Sequence, residues 1–174
     1  MMTSEEAIDF LREHQPMPPE DELSEELITR FDEARHALER DPDPRGLPLL
    51  LSSLGEGTGF GVYQLLDDTL RAYDREDVVR ALSESLTSSV PSVRSWSMEF
   101  ALDYPDPRLI RPAVAVLRSD ERDARFFAAA YLVDHWSTDP DAREALHDAA
   151  LHEDDPEIRE VLSRRSTRPD DGKA

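Results

Sequence analysis

The tripeptide DPR begins at Asp43 and returns at Asp106. Two further aspartates, Asp74 and Asp139, complete a series whose starts lie 31, 32 and 33 residues apart. A second marker keeps the same period. Val62, Val93, Ala124 and Ile158 are spaced by 31, 31 and 34, and the last three are each followed by arginine. Two markers with one period describe a chain of like units about 30 residues long, too short to bury their own apolar faces. Neighbouring units must therefore stack, and that requirement restricts the fold more than any other feature of the chain.

Each unit reads as two helices. Asp or Asp-Pro opens the first, because a carboxylate caps exposed N–H groups and proline suits the first helical position. Apolar residues then recur at helical spacing: Leu47, Leu50, Leu51 and Leu54; Val78, Val79, Leu82 and Leu86; Leu109, Ile110, Ala113, Val114 and Leu117; Ala142, Ala145, Leu146 and Ala149. The second helix starts near the other marker, with stripes at Val62, Leu65, Leu66 and Leu70, then from Val93 to Leu102 and from Ala124 to Leu132. No segment alternates as a half-buried strand does. The expected fold is all-α, with four pairs at 43–73, 74–105, 106–138 and 139–166 forming one continuous domain. Residues 1–42 supply an N-terminal helical cap, in which Thr3 and Glu6 form a capping box and a proline-rich break separates two helices. Residues 167–174 read as a disordered tail.

Net charge is −19, and no cysteine is present. A field of that sign repels phosphate backbones, which argues against direct nucleic-acid binding and for a basic protein partner. It also serves solubility. The start of the chain lacks a signal-peptide pattern and no apolar run is long enough for a membrane helix, so a cytoplasmic protein without membrane contact is expected.

Motifs for chemistry are missing. Gly55, Gly57, Gly59 and Gly61 alternate, but Phe60 and Val62 stand where a dinucleotide fingerprint needs its third glycine, and no strand precedes them. The only lysine, Lys173, lies far from any phosphate-loop position. The run reads as a lengthened turn between two helices, and as a contact loop its anchors would be Phe60 and Tyr63. The histidines lack paired-ligand spacing, and no nucleophile elbow occurs, so neither a metal, a cofactor nor catalysis is expected.

The segments DPRGLPLLLSSL, VRSWSM and ARFFAA, with IREVLS as a partial match, resemble the HEAT-like helical repeats; VYQLLD lacks the arginine. The resemblance spans residues 43–165 and implies an α-solenoid of about four helix pairs. It also turns the two positions after each marker arginine, Ser95-Trp96 and Phe126-Phe127, toward the inner face of the array. Trp96 and Phe127 then hold equivalent places, with Glu99, Asp103 and Asp134 further along, an aromatic ridge edged with acids of the kind that anchors a basic protein. Packing within the inter-unit core is the alternative for those rings. Arg94, Arg125 and Arg159 are expected to bridge neighbouring units. Size, acidity and GFGVYQLLDD look like bacterial HEAT-type immunity proteins, which implies a non-catalytic acidic inhibitor. Resemblance to bilin lyases implies a ligand-handling alternative, and a plain scaffold subunit is the third. HEAT-like DNA glycosylases expect a basic inner face, which this charge opposes.

Overall fold

Hydroxyls and carboxylates stand at the breaks in the apolar pattern, and the backbone turns helical after them. The structure, a computed structural model, describes residues 2–164. Thr3 and Glu6 form the expected capping box on α1 (Ser4–Glu13), and Ser24 accepts the Leu27 N–H at 3.1 Å to start α2 (Glu25–Arg40). There follow α3 (Gly46–Ser52), α4 (Leu66–Leu70), α5 (Arg75–Ser85), α6 (Pro91–Ala101), α7 (Ile110–Leu117), α8 (Arg122–Trp136), α9 (Pro140–His152) and α10 (Pro156–Ser163). Asp139 and Asp155 cap α9 and α10, each with proline at the first helical position. Asp106 caps a 3₁₀ turn that leads into α7, whereas the Asp74 side chain makes no cap bond. The described residues contain no strand, as the all-α expectation requires. None of the described helices is long and apolar enough to cross a membrane.

Contacts between helices follow the order of the chain. The odd helices touch in sequence, α1 with α3, α3 with α5, α5 with the turn before α7, and α7 with α9. Among the even helices α2 meets α4, α6 meets α8, and α8 meets α10. The stripes read from the sequence are the faces that meet. Leu47, Leu50, Leu51, Leu54, Val78, Val79, Leu82, Ala113, Ala128 and Leu132 are fully or nearly fully buried in one apolar cluster running from Ala7 to Leu162. Each buried leucine contributes about 1.5–3 kcal/mol relative to exposure. The first two helices join this cluster through Ile8, Leu11, Phe31 and Leu38.

Arginines tie the successive pairs together by a recurring pattern. Arg94 donates to the Ser88 carbonyl at 2.6 Å and to Glu121 at 2.6 Å. Arg125, 31 residues later, donates to the Ser119 carbonyl at 3.2 Å and to Glu153 at 2.9 and 3.2 Å. Thus two of the three marker arginines bridge units as expected; the third, Arg159, is exposed on the last helix. The DPR motifs recur structurally as well. Arg45 bonds its own Asp43 and reaches back to Glu5 at 2.8 Å, and Arg108 bonds Asp106 and reaches back to Glu76.

One element departs from the sequence reading. The second helix of the first unit, expected from Val62, is reduced to a 3₁₀ turn (Tyr63–Leu65) followed by the five-residue α4. Gly59, Phe60 and Gly61 all have left-handed backbone (φ +56°, +52° and +88°), so no right-handed helix can extend upstream of Val62. The C-terminal residues 165–174, including the expected tail at 167–174, lie outside the described residues.

A candidate binding groove between two helices

Trp96 sits one turn before Glu99 on α6, and Asp123 sits one turn before Phe127 on α8. Because α6 packs directly against α8, each helix contributes an aromatic ring and an acid to one groove of about 370 Å³. Gly55, Glu56, Gly57 and Thr58 close it from the glycine loop, and Pro91, Ser92 and Ser95 complete the wall. The Ser92 hydroxyl donates to the Leu54 carbonyl at 2.8 Å and fixes the loop's entry against α6.

The aromatic walls are anchored from behind. Tyr63 packs edge-on against Phe31 and Trp96, with centroids 5.5 and 5.9 Å apart, and Trp96 stacks on Phe100 at 5.8 Å. Phe127 touches Phe126 edge-on at 5.5 Å. No ring contact joins Trp96 to Phe127 among the described residues, so the groove separates them. Trp96 therefore does both jobs posed by the sequence: it is half-buried in the inter-unit packing and it lines an open surface.

Glu99 is the unusual charge. Other partly buried carboxylates, Glu121 and Glu153, pair with arginine. The Glu99 carboxylate is half-buried and has no hydrogen-bond or ion-pair partner among the described residues. Burial, then the neighbouring Asp67 and Asp123, push its carboxyl above the ordinary range. Asp67 is raised for related reasons: burial leads, Asp103 and Asp68 add to it, and Arg71 opposes. Asp123 is already shared with Arg122 at 2.9 Å.

Folding thus penalises the charged form of Glu99. A carboxyl raised in the folded state leaves stability intact below its unfolded pKa and subtracts from it as pH rises through the folded value. Glu99→Gln is expected to raise the melting temperature at pH 7 by about 1–2 °C, the response of a chain this size to about half a kcal/mol. The gain should vanish below about pH 4, which thermal unfolding at the two pH values checks.

The glycine run forms neither a nucleotide site nor a bare turn. It wraps a carboxylate of the chain itself: Thr58 donates to Glu20 through its backbone N–H at 2.5 Å and through its hydroxyl at 3.0 Å. These bonds hold the Glu20 carboxyl below its ordinary range. Consecutive N–H groups in left-handed backbone make an anion-binding concavity, and Glu20 fills it. A Cβ on Gly57 would meet that carboxylate.

Of the residues singled out in the sequence, Trp96, Glu99 and Phe127 come together in the groove. Phe126 is not part of the groove lining; it packs edge-on against Phe127, and Arg122 lies 5.7 Å over its ring. Asp103 is exposed and bonds Arg71 at 3.4 Å, away from the groove lining. Asp134 is exposed on α8 and engaged in an interaction of its own. Phe60 is 56% exposed. Tyr63 corrects the sequence reading, because it is wholly buried and cannot anchor a partner. Its ring lies between Phe31 of α2 and Trp96 of α6, and burial raises its hydroxyl to about 12. Asp123 and Glu20 were not anticipated. Helical spacing from Phe127 points to the first, whereas no pattern in the proline-rich break marks the second. No group of side chains suited to a metal ion occurs among the described residues. No family model, curated protein or solved structure matches this chain.

Proposed function

We propose that this chain is a short HEAT-like solenoid that acts without catalysis, by binding a basic protein on the face that carries Trp96, Glu99 and Phe127, as an acidic inhibitor would. One observation carries the reading: a half-buried carboxylate stands unpaired between two aromatic walls supplied by adjacent helix pairs. A carboxylate so placed costs free energy until a cation meets it. The aromatic rings supply the large, rigid contact area typical of interface anchors. Chain-order contacts between helices and the repeated arginine ties support the solenoid. Net charge of −19 supports rapid, salt-sensitive association with a basic surface.

Affinity capture from lysate of the native host, run in parallel with wild type and the Glu99→Gln/Asp123→Asn variant, tests this. A basic protein held near one-to-one by wild type, and released from the variant at clearly lower salt, is the expected result. The same proteins leaving both baits at the same salt would overturn the assignment of the face. Capture of a coloured small molecule, or of an assembly indifferent to salt, would favour the ligand-handling or scaffold alternatives.

A further inference from the structure

The protein already pairs arginines with aromatic rings at its surface. Arg30 lies 5.3 Å from the Phe10 centroid, Arg75 lies 5.7 Å from Tyr104, and Arg122 lies 5.7 Å from Phe126. In the last case the same guanidinium also bonds carboxylates, Asp123 at 2.9 Å and Asp155 at 3.0 Å. A ring, an acid and an arginine thus form a complete set on α8. Trp96 and Glu99, one turn apart on the neighbouring α6, repeat the first two members, and among the described residues no arginine joins them.

We infer that the groove between Trp96 and Phe127 receives one arginine side chain of the partner, stacked on Trp96 and bonded to Glu99. This rests on the protein-binding reading of the same face. A guanidinium suits the place better than an ammonium for three reasons. It is planar, and can lie flat on an indole while its edge meets a carboxylate. It is weakly hydrated, so entry into a half-buried groove costs less. It also carries several donors in a fixed fork, which lets it bond Glu99 while still facing Asp123 on the opposite helix. The elevated Glu99 carboxyl agrees, since an incoming cation would relieve both its burial and its repulsion by Asp67 and Asp123. Tyr63 and Phe100 hold the indole from behind, so the ring need not reorganise to receive its guest.

The full chain, labelled with nitrogen-15, would be titrated at low salt with the blocked tripeptide Gly-Arg-Gly and with its citrulline and lysine counterparts. The indole N–H of Trp96 reports binding. That of Trp136, which does not line the groove, serves as the control. A saturable shift confined to Trp96, at least 10-fold weaker for citrulline and several-fold weaker for lysine, is expected. Glu99→Gln, which conserves size, should weaken the arginine peptide about 10-fold. Citrulline binding as well as arginine would overturn the inference by showing stacking without charge, and lysine matching arginine would overturn the choice of guanidinium. A groove inert to all three overturns it as well, while salt-sensitive partner capture could still uphold the binding face. Conversely, arginine binding alongside failed capture would sink the protein-binding proposal and leave the pocket chemistry standing.

Discussion

Gly55→Ala is expected to destabilise the protein by about 3 kcal/mol, a fall in melting temperature of roughly 6–12 °C for a chain of this length. Its backbone is not left-handed, so the cost comes from space. A Cβ there would lie 2.6 Å from the Met17 carbonyl oxygen, 3.0 Å from that of Pro18 and 3.1 Å from the buried Tyr63 hydroxyl. Two of these are main-chain atoms, and Met17 is itself tied down, its N–H donating to the Ser53 carbonyl at 2.9 Å. Relief would require the proline-rich segment to move away from the loop, opening the core around Met17 and Tyr63. Gly61→Ala is the control. It has left-handed backbone, but its Cβ would meet only the Gln64 amide nitrogen at 3.5 Å, so strain alone should cost about 1 kcal/mol. Equal losses at the two positions in thermal unfolding would show that loop strain, rather than closure on residues 17 and 18, governs this region.

That contrast marks where sequence reasoning reaches and where it stops. Periodicity located the helices well because it reflects a local rule: a face that must be buried recurs every three or four residues. Leu47, Leu50, Leu51 and Leu54 obey that rule and are buried. Capping chemistry was legible on the same ground, as at Thr3 and Asp139. The period of the marker arginines carried further still. Arg94 and Arg125 make the same two bonds, one to a carbonyl six residues back and one to an acid 27 or 28 residues ahead.

Features set by residues distant in the chain were not legible. Alternating glycines announce unusual backbone, yet the partner that gives the loop its shape is Glu20, 38 residues before Thr58 and within a segment that reads only as a break. Tyr63 shows the same limit from the other side. It occupies the position where the three later units carry arginine, three residues after an exposed phenylalanine, and so reads as part of a contact loop. The loop's left-handed turn drives it inward, between Phe31 and Trp96. Within the groove, Trp96, Glu99 and Phe127 could be picked out by register, since equivalent positions on adjacent units come close together. The lack of a partner for Glu99 could not, because 19 arginines are available in the sequence and only geometry assigns each of them.

The assignment of Arg125 yields the second large effect. Arg125→Met is expected to destabilise the chain by about 2–3 kcal/mol at pH 7, somewhat less than loss of a fully buried pair because the arginine retains some solvent contact. The Glu153 side chain is only 7% exposed and would keep only main-chain donors, the Asp155 N–H at 3.0 Å first among them. Arg125 now holds the Glu153 carboxyl below its ordinary range. Stability from the pair is therefore present above the ordinary glutamate pKa and is lost as pH falls through the lower folded value. Without the cation, the buried carboxylate should instead take up a proton readily, so the variant's deficit should narrow between pH 7 and pH 4. Arg125→Met/Glu153→Met should recover most of the loss, since the uncompensated charge rather than the missing contact dominates it. Location supplies a further check. Arg125 joins α8 to the link between α9 and α10, whose main packing partners are α7, α8 and each other. Hydrogen exchange in Arg125→Met should quicken first along α9 and α10 and leave α1 to α6 near wild-type protection, as expected where α9 and α10 are held mainly by α7 and α8. Uniform loss of protection from α1 to α10 would mean that these helices unfold as one unit, and that the repeated arginine ties do not divide them energetically.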